Sequence, residues 1–355
     1  MISSVHIISS KGSGGAELFF VRLANALAES GQFTIAITAP GSGVSAGLRA
    51  DLPQVHIPMR SAWDLLSRWH IGRTLGHLQA DIVQTYMNRA TQLTRLVMGQ
   101  RSIHVARLGG YYNLKNYWHA HAWVGNTKGI CDYLVKHGLP AARVACIGNF
   151  VTIPPQSSPE LLTERRRQLC LPEDALILVA VGRLHPVKGF EDLLAAFAML
   201  APTCHDRPLY LIIVGDGPLN SKLREYADQL GVSERVRWTG WQAEPGVYYE
   251  LAELCVCPSR YEPLGNVLLE AWAHRRPVLS TRTAGALELT TQGEDAWMVP
   301  PEQPRDLAAG IRHLLEDDRL REHLAVKGRD KAQTQYSQQN IVSAYLDFYA
   351  ELLKR

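Results

Sequence analysis

A chain of 355 residues, 46% hydrophobic and 20% charged, has too much apolar side chain for a disordered polymer and too much length for one core. Two domains are therefore expected. No apolar run reaches the ~20 residues that cross a bilayer, and no basic segment with a long apolar core opens the chain. Neither a membrane span nor a secretory leader is expected, and the six scattered cysteines, without a C-x-x-C pair, read as reduced core thiols of a cytoplasmic protein.

In chain order, strands are predicted at Val5–Ser9, Phe33–Thr38, Asp81–Tyr86, Ile103–Leu108, Ala122–Gly125 and Arg143–Ile147. A second series is predicted at Leu176–Val181, Tyr210–Val214, Val236–Thr239, Leu254–Cys257, Pro277–Ser280 and Trp297–Val299. Amphipathic segments lie between them, so the fold class is α/β with parallel sheets covered by helices. Val151–Arg167, with Pro154, Pro155, Pro159 and the run Arg165–Arg167, breaks the rhythm and is read as the connection. The expected domains are residues 1–155 and 156–336, two Rossmann-like sheets facing each other across a ligand cleft.

Charge divides unevenly between the halves. Residues 1–150 hold 14 Lys/Arg against 6 Asp/Glu, and the remainder 23 against 28. The basic half also carries Trp63, Trp69, Tyr111, Tyr112, Tyr117 and Trp118 near Arg60, Arg68, Arg73, Arg107 and Lys115. Such a mixture suits an anionic membrane surface or a phosphorylated glycolipid, and equally a core of aromatics beneath a solvated basic surface. No nucleic-acid motif accompanies the charge, so nucleic acid is not an expected partner.

The first motif is "KGSGGAELFF", residues 11–20. Its glycines miss the G-x-G-x-x-G spacing, and the second strand ends in Thr38-Ala39-Pro40 without a carboxylate, which excludes a dehydrogenase fingerprint. Gly14 and Gly15 still offer amides at a helix start.

In the second half, "VGRLHPVKGF" places Arg183 and Lys188 at the carboxyl end of a strand, beside a helix start. A guanidinium fork and a mobile ammonium there suit a diphosphate. "VGDGPL", residues 214–219, reads as a tight structural turn. At "RVRWTGW", residues 235–241, the backbone edge at Gly240 either pairs with a nucleobase or belongs to a core tryptophan pair. "CPSRYEPLGNVLLEAWAHRRPVLST", residues 257–281, is the most informative stretch. Glu262 and Glu270 are eight positions apart, and a helix predicted from about Leu264 to His274 sets them two turns plus ~80° apart, toward one side of a cleft. Gly265, Asn266 and Val267 would supply amides at the helix start. Acceptors for hydroxyls and donors for phosphates in this order suit a sugar phosphate.

These motifs together resemble the family-4 retaining glycosyltransferases of GT-B fold, with their E-x7-E element behind Gly-Arg-x4-Lys-Gly. "GGAE" near the start and "VGNTKGICDYLVKHGLPAARVACIGNFV" before the connection extend the resemblance over the whole chain. It implies transfer of a sugar from a nucleotide diphosphate sugar with retention at the anomeric carbon. By the same resemblance Arg183 and Lys188 would hold and stabilise the leaving diphosphate, and Glu262 with the amides of Gly265 to Val267 would hold the donor sugar. Glu270 would accept from the ribose, Gly14 and Gly15 would approach the donor, and residues 337–355 would form a helix packed on the first domain.

Two positions depart from the family pattern. Gly109 stands where many relatives carry a histidine, and "GNFVT", residues 148–152, lacks the usual acid. Arg107, His104, His119 and His121 are candidate substitutes for that histidine, and Arg107–Trp118, with Arg107, Gly109, Tyr111 and Lys115, is the candidate acceptor side. No D-x-D occurs, so neither a metal nor a cofactor is expected beyond the nucleotide sugar as co-substrate. A glycolipid or saccharide acceptor of the cell envelope, such as a lipopolysaccharide core, would match the basic half, with the enzyme at the inner face of the cytoplasmic membrane. Open alternatives at this point are an epimerase or phosphorylase of the same fold and a non-catalytic binding subunit.

Overall fold

The computed structural model describes residues 1–12, 14–96, 99 and 101–354. They form two compact units, one of Met1–Phe150 with Gln338–Arg355, the other Val151–Ser337. The chain thus passes into the second unit after Phe150, five residues before the expected boundary, and its last helix belongs to the first.

Among the described residues, unit 1 holds a parallel sheet of seven strands. These are β1 (Ser3–Ile8), β2 (Phe33–Thr38), β3 (Gln54–His56), β4 (Ile82–Tyr86), β5 (Ile103–Leu108), β6 (Ala122–Gly125) and β7 (Val144–Cys146), in the order β3-β2-β1-β4-β5-β6-β7. β3 has no counterpart in the sequence reading. It is a three-residue edge strand paired to β2 through Val55 opposite Ile37, and a run that short carries no periodicity.

Helix Gln338–Lys354 fills one side of this sheet. Ile341, Val342, Tyr345, Phe348 and Tyr349 lie in one core cluster with Phe19, Phe20 and Leu23 of helix Gly15–Glu29. A buried polar chain secures it: the Tyr349 hydroxyl donates to Gln84 Oε1 (2.6 Å) and Gln84 Nε2 donates to the Tyr86 hydroxyl (2.6 Å). Tyr86 in turn meets His6 Nδ1 (2.9 Å), and His6 Nε2 meets the Ser4 hydroxyl (3.1 Å). With Tyr86 donating to Nδ1 and Nε2–H donating to Ser4, one neutral tautomer satisfies every group in the chain.

That arrangement fixes a pH dependence. Burial pushes the His6 imidazole down to about 3 and His119 to about 4, and holds His104 well below the ordinary value. The unfolded chain takes up these protons near pH 6.5 and the folded chain does not, so the contribution is complete above pH ~6.5 and is lost as pH falls toward the folded values. For His6 alone the loss is about 2 kcal/mol between roughly pH 6.5 and roughly pH 5. Urea unfolding followed across that range is expected to give a falling midpoint, and His6→Gln is expected to shallow the fall. A midpoint independent of pH would contradict the burial argument.

Unit 2 holds β8 (Leu176–Val181), β9 (Thr203–Cys204), β10 (Arg207–Val214), β11 (Val236–Gly240), β12 (Leu254–Cys257), β13 (Val278–Thr281) and β14 (Trp297–Val299). The order is β11-β10-β8-β12-β13-β14, all parallel, with β9 antiparallel on β10. β8, Leu-Ile-Leu-Val-Ala-Val, is an unbroken apolar run because helices cover both faces of the sheet. The connection expected at Val151–Arg167 is only partly a linker. Ser158 caps a helix over Pro159–Gln168 by accepting from Leu161 N, with Pro159 at the first helical position, where proline fits, and the three arginines in its last turn. Of the cysteines, Cys131, Cys255 and Cys257 are buried, whereas Cys146 and Cys170 are exposed, so a core role holds only for the first group.

Candidate functional site

The chain of unit 2 runs from β8 outward to β10 and β11, then returns to place β12 on the other side of β8. Ligands of open α/β sheets bind beyond the carboxyl ends of the strands at such a reversal. Here the two loops that emerge from those ends are Gly182–Gly189 and Pro258–Gly265, the two motif-bearing segments.

They are stitched together. A single 3-10 turn, Pro186–Lys188, ends at Gly189, and the Val187 carbonyl accepts from the amides of Arg260 (2.9 Å) and Tyr261 (3.2 Å). Arg260 also donates through Nε and Nη2 to both oxygens of Asp192 (2.7 and 2.8 Å) in the first turn of helix Phe190–Ala198. Gly189 has φ +66°, and a Cβ there would stand 2.0 Å from the Pro258 carbonyl oxygen. The backbone of the lysine loop therefore lies directly on the end of β12.

At the centre of the stitched loops the Lys188 ammonium donates to Glu262 Oε2. Burial works against the ammonium, but the Glu262 carboxylate, aided by Cys257 and Glu270, outweighs it and holds Lys188 above the ordinary lysine range. The Glu262 backbone is fixed as well, because its carbonyl accepts from Gly285 N (2.9 Å). Glu262 does not share a helix with Glu270. The helix starts at Asn266, behind Pro263 and Gly265 at φ +99°, close to its expected start, so Glu262 is a loop carboxylate and Glu270 a helical one. Glu270 accepts from the Tyr249 hydroxyl (3.2 Å), and Tyr249, fully buried, stacks on His274 at 5.3 Å and 15°. The helix Asn266–Ala273 points its N-terminus, the positive end of its dipole, toward the loop that carries Glu262.

The remaining candidates divide by position. Arg183 is exposed at the start of its loop. Gly240 ends β11, and its carbonyl accepts from Gly215 N (2.9 Å), which commits that oxygen to the sheet end. The tryptophan pair around it is not a core pair, since Trp241 is exposed. In unit 1, Gly14 caps helix Gly15–Glu29, and the turn faces a carboxylate of its own: the Ser10 hydroxyl donates to Glu17 Oε1, and a Cβ at Gly14 would lie 2.9 Å from Glu17 Oε2.

Arg107 corrects the acceptor-side reading. It is buried, donating from Nε to the Tyr345 hydroxyl (3.0 Å) and from Nη2 to Asn149 Oδ1, with its guanidinium 4.0 Å from the Phe19 ring centroid. It ties the last helix to the sheet and presents no charge to an acceptor. His104 is buried too, meeting Thr85 at 2.9 Å, and His119 meets the carbonyls of Thr91 and Thr94. Tyr111 and Lys115 are exposed, as an acceptor contact requires. At Gly109 a Cβ would meet Asn126 and Arg107 only at 3.5 and 3.8 Å, so a side chain there is not sterically forbidden. Sequence reasoning did not single out Tyr249 or Glu17. The second stands inside the quoted "GGAE", whereas nothing in the pattern marks the first.

Residues 163–331, the segment that carries these loops, match the family model "Glycosyl transferases group 1". Over 340 residues the chain is 32% identical to the lipopolysaccharide core biosynthesis glycosyltransferase LpsE of Rhizobium meliloti, covering 95% of this chain and 96% of that one. The chain belongs to the group 1 glycosyltransferases. This glycosyltransferase is also similar in fold to a glycosyltransferase from Rickettsia africae (TM-score 0.87, 18% identity, 100% of this chain and 99% of the other). Anabaena HepE, solved with UDP and glucose, gives a TM-score of 0.86 at 20% identity over 99% and 100%. The two Rossmann-like parallel-sheet units of the glycosyltransferase are accordingly those of the GT-B fold.

Among the described residues no helix is long and apolar enough to cross a membrane, and no cluster of three or more His, Cys, Asp or Glu side chains could hold a metal ion.

Proposed function

We propose that this glycosyltransferase is a retaining hexosyltransferase that takes its sugar from a UDP- or GDP-linked hexose or N-acetylhexosamine. The acceptor is a glycolipid or saccharide of the lipopolysaccharide or cell-envelope pathway, met at the inner face of the cytoplasmic membrane. The observation that carries the reading is the Lys188–Glu262 pair at the sheet reversal of unit 2, a cation and a carboxylate held by one pair of stitched loops. The LpsE relative supports the acceptor class, and the UDP and glucose bound by HepE support the donor class.

As the glycosidic bond breaks, negative charge grows on the departing diphosphate. Lys188, held in its charged form, and Arg183 stabilise that charge without a metal. Glu262 and the helix start at Gly265, Asn266 and Val267 orient the sugar, and Glu270 accepts from the ribose. Tyr249 is a positioning residue, since its hydroxyl aims the Glu270 carboxylate. Tyr249→Phe is expected to raise the KM of the nucleotide sugar by roughly 2–10-fold with kcat nearly unchanged, the worth of one hydrogen bond.

The deciding experiment measures thermal stabilisation by uridine, guanosine and adenosine diphosphate sugars, then transfer to lipopolysaccharide-core and lipid-linked acceptors, with the anomeric configuration read by NMR. Stabilisation by one donor and transfer with retained configuration are expected. An inverted product would overturn the retaining mechanism, and stabilisation by none of the donors would overturn the site.

A further inference from the structure

Helix Leu65–Leu78 of unit 1 packs through Ser67, Ile71 and Leu75, each four residues from the next and all buried. At ~100° per residue, Leu65, Leu66 and Trp69 point away from that stripe. They are 72%, 74% and 56% exposed, and Trp63 in the preceding turn is 82% exposed. Scattered single apolar residues on a surface need no explanation, but four large ones within seven positions do. Ordinary surface helices carry polar side chains on the face opposite their core. This one instead carries large apolar side chains on its outer face over the first turn and a half, before Arg73 and His77.

The patch is built into the fold and is not a frayed end. Asp64 caps the helix, accepting from Ser67 N (3.0 Å) and the Ser67 hydroxyl (2.8 Å), and it also accepts from Arg60 N (3.0 Å), which closes the turn that presents Trp63. Ser67 in turn accepts from Met59 N (3.0 Å). The flanking charge is of one sign. Residues 65–80 contain Arg68, Arg73, His70 and His77 and no Asp or Glu. The Arg73 guanidinium lies 5.4 Å from the Trp69 ring centroid, so cation and aromatic stand side by side. Arg60 and Arg68 are exposed on either side of Leu65 and Leu66.

We infer that this face docks the protein on an anionic lipid bilayer, with Trp63, Leu65, Leu66 and Trp69 seated at the headgroup–acyl boundary and Arg60, Arg68 and Arg73 on lipid phosphates. Rigid indoles with adjacent leucines supply the interfacial burial, and the arginines supply the preference for negative headgroups. The excess of Lys/Arg over Asp/Glu in residues 1–150 extends the same attraction over a longer range. The inference does not depend on the donor site or on any transfer reaction, because docking is measured without turnover.

The test is co-sedimentation of the whole protein with phosphatidylcholine vesicles, with and without phosphatidylglycerol, over a range of salt concentrations. A second arm uses vesicles with brominated acyl chains, which quench buried indoles. Binding is expected only with phosphatidylglycerol and to weaken as salt rises, and Trp63→Phe with Trp69→Phe is expected to remove most of the quenching. Leu65→Ser with Leu66→Ser is expected to weaken binding at least ~10-fold. Because these side chains are exposed, the variant should melt as the wild type does and keep its donor-induced stabilisation. Binding that ignores lipid charge and salt, binding undiminished in the leucine variant, or self-association lost in that variant, which would make the occupant a second copy of the chain, overturns the assignment.

Discussion

Lys188→Met is expected to lower kcat by about 10²–10³-fold while changing the donor KM far less, the size of effect seen when one preorganised charge-stabilising donor is removed. The expectation rests on where the ammonium stands. Lys188 is largely buried, yet its pairing with Glu262 holds it charged above the ordinary lysine range, so the positive charge is in place before any diphosphate arrives. A charge in that setting is worth more than one in water, since fewer solvent dipoles oppose it. Removing it also strands the Glu262 carboxylate, a side chain only 16% exposed, which costs stability as well as rate. The two effects separate in the double variant Lys188→Met with Glu262→Gln. Melting should recover there because no unpaired charge remains, while turnover should not. Recovered turnover in the double variant would mean that Lys188 serves only to neutralise Glu262.

The second large effect concerns folding. Gly189→Ala is expected to destabilise the protein by about 3–4 kcal/mol in urea unfolding, near the upper end for a single substitution. The new methyl would lie 2.0 Å from the Pro258 carbonyl oxygen, on a backbone at φ +66° that already disfavours a Cβ. Relief requires the lysine loop to lift off the end of β12, which would also move Lys188 away from Glu262. Gly109→Ala makes the contrast. Its Cβ would meet only side-chain atoms at 3.5 Å and beyond, with no positive φ, and a change within about 1 kcal/mol is expected. Equal destabilisation by the two would show that the close approach at Pro258 relaxes freely.

The strand framework was legible because β-strands buried between helices are short apolar runs, and runs such as Leu176–Val181 need no partner to be recognised. The same property hides side-chain direction. In a sheet covered on both faces, alternation does not separate inside from outside, so Arg107 on β5 read as a surface cation when it lies buried between Phe19, Tyr345 and Asn149. Two short strands escaped for another reason: Gln54–His56 and Thr203–Cys204 are three and two residues long and lack the apolar run that marked Trp297–Val299 at the same length. At the candidate site, local spacing marked Lys188, Glu262 and Glu270 individually. It could not show that Lys188 and Glu262 pair across 74 positions, nor that Tyr249 supports Glu270, because both depend on how β8 and β12 come together.

The membership of Gln338–Lys354 in unit 1 bears on synthesis of the chain. Unit 2 is one continuous stretch and has all its residues once Ser337 is made, whereas unit 1 still lacks Tyr345 and Tyr349 from its core and from the polar chain through Gln84. The N-terminal sheet, translated first, is therefore completed last. A chain stopped short of residue 338 would hold every residue of the C-terminal unit but lack part of the N-terminal core.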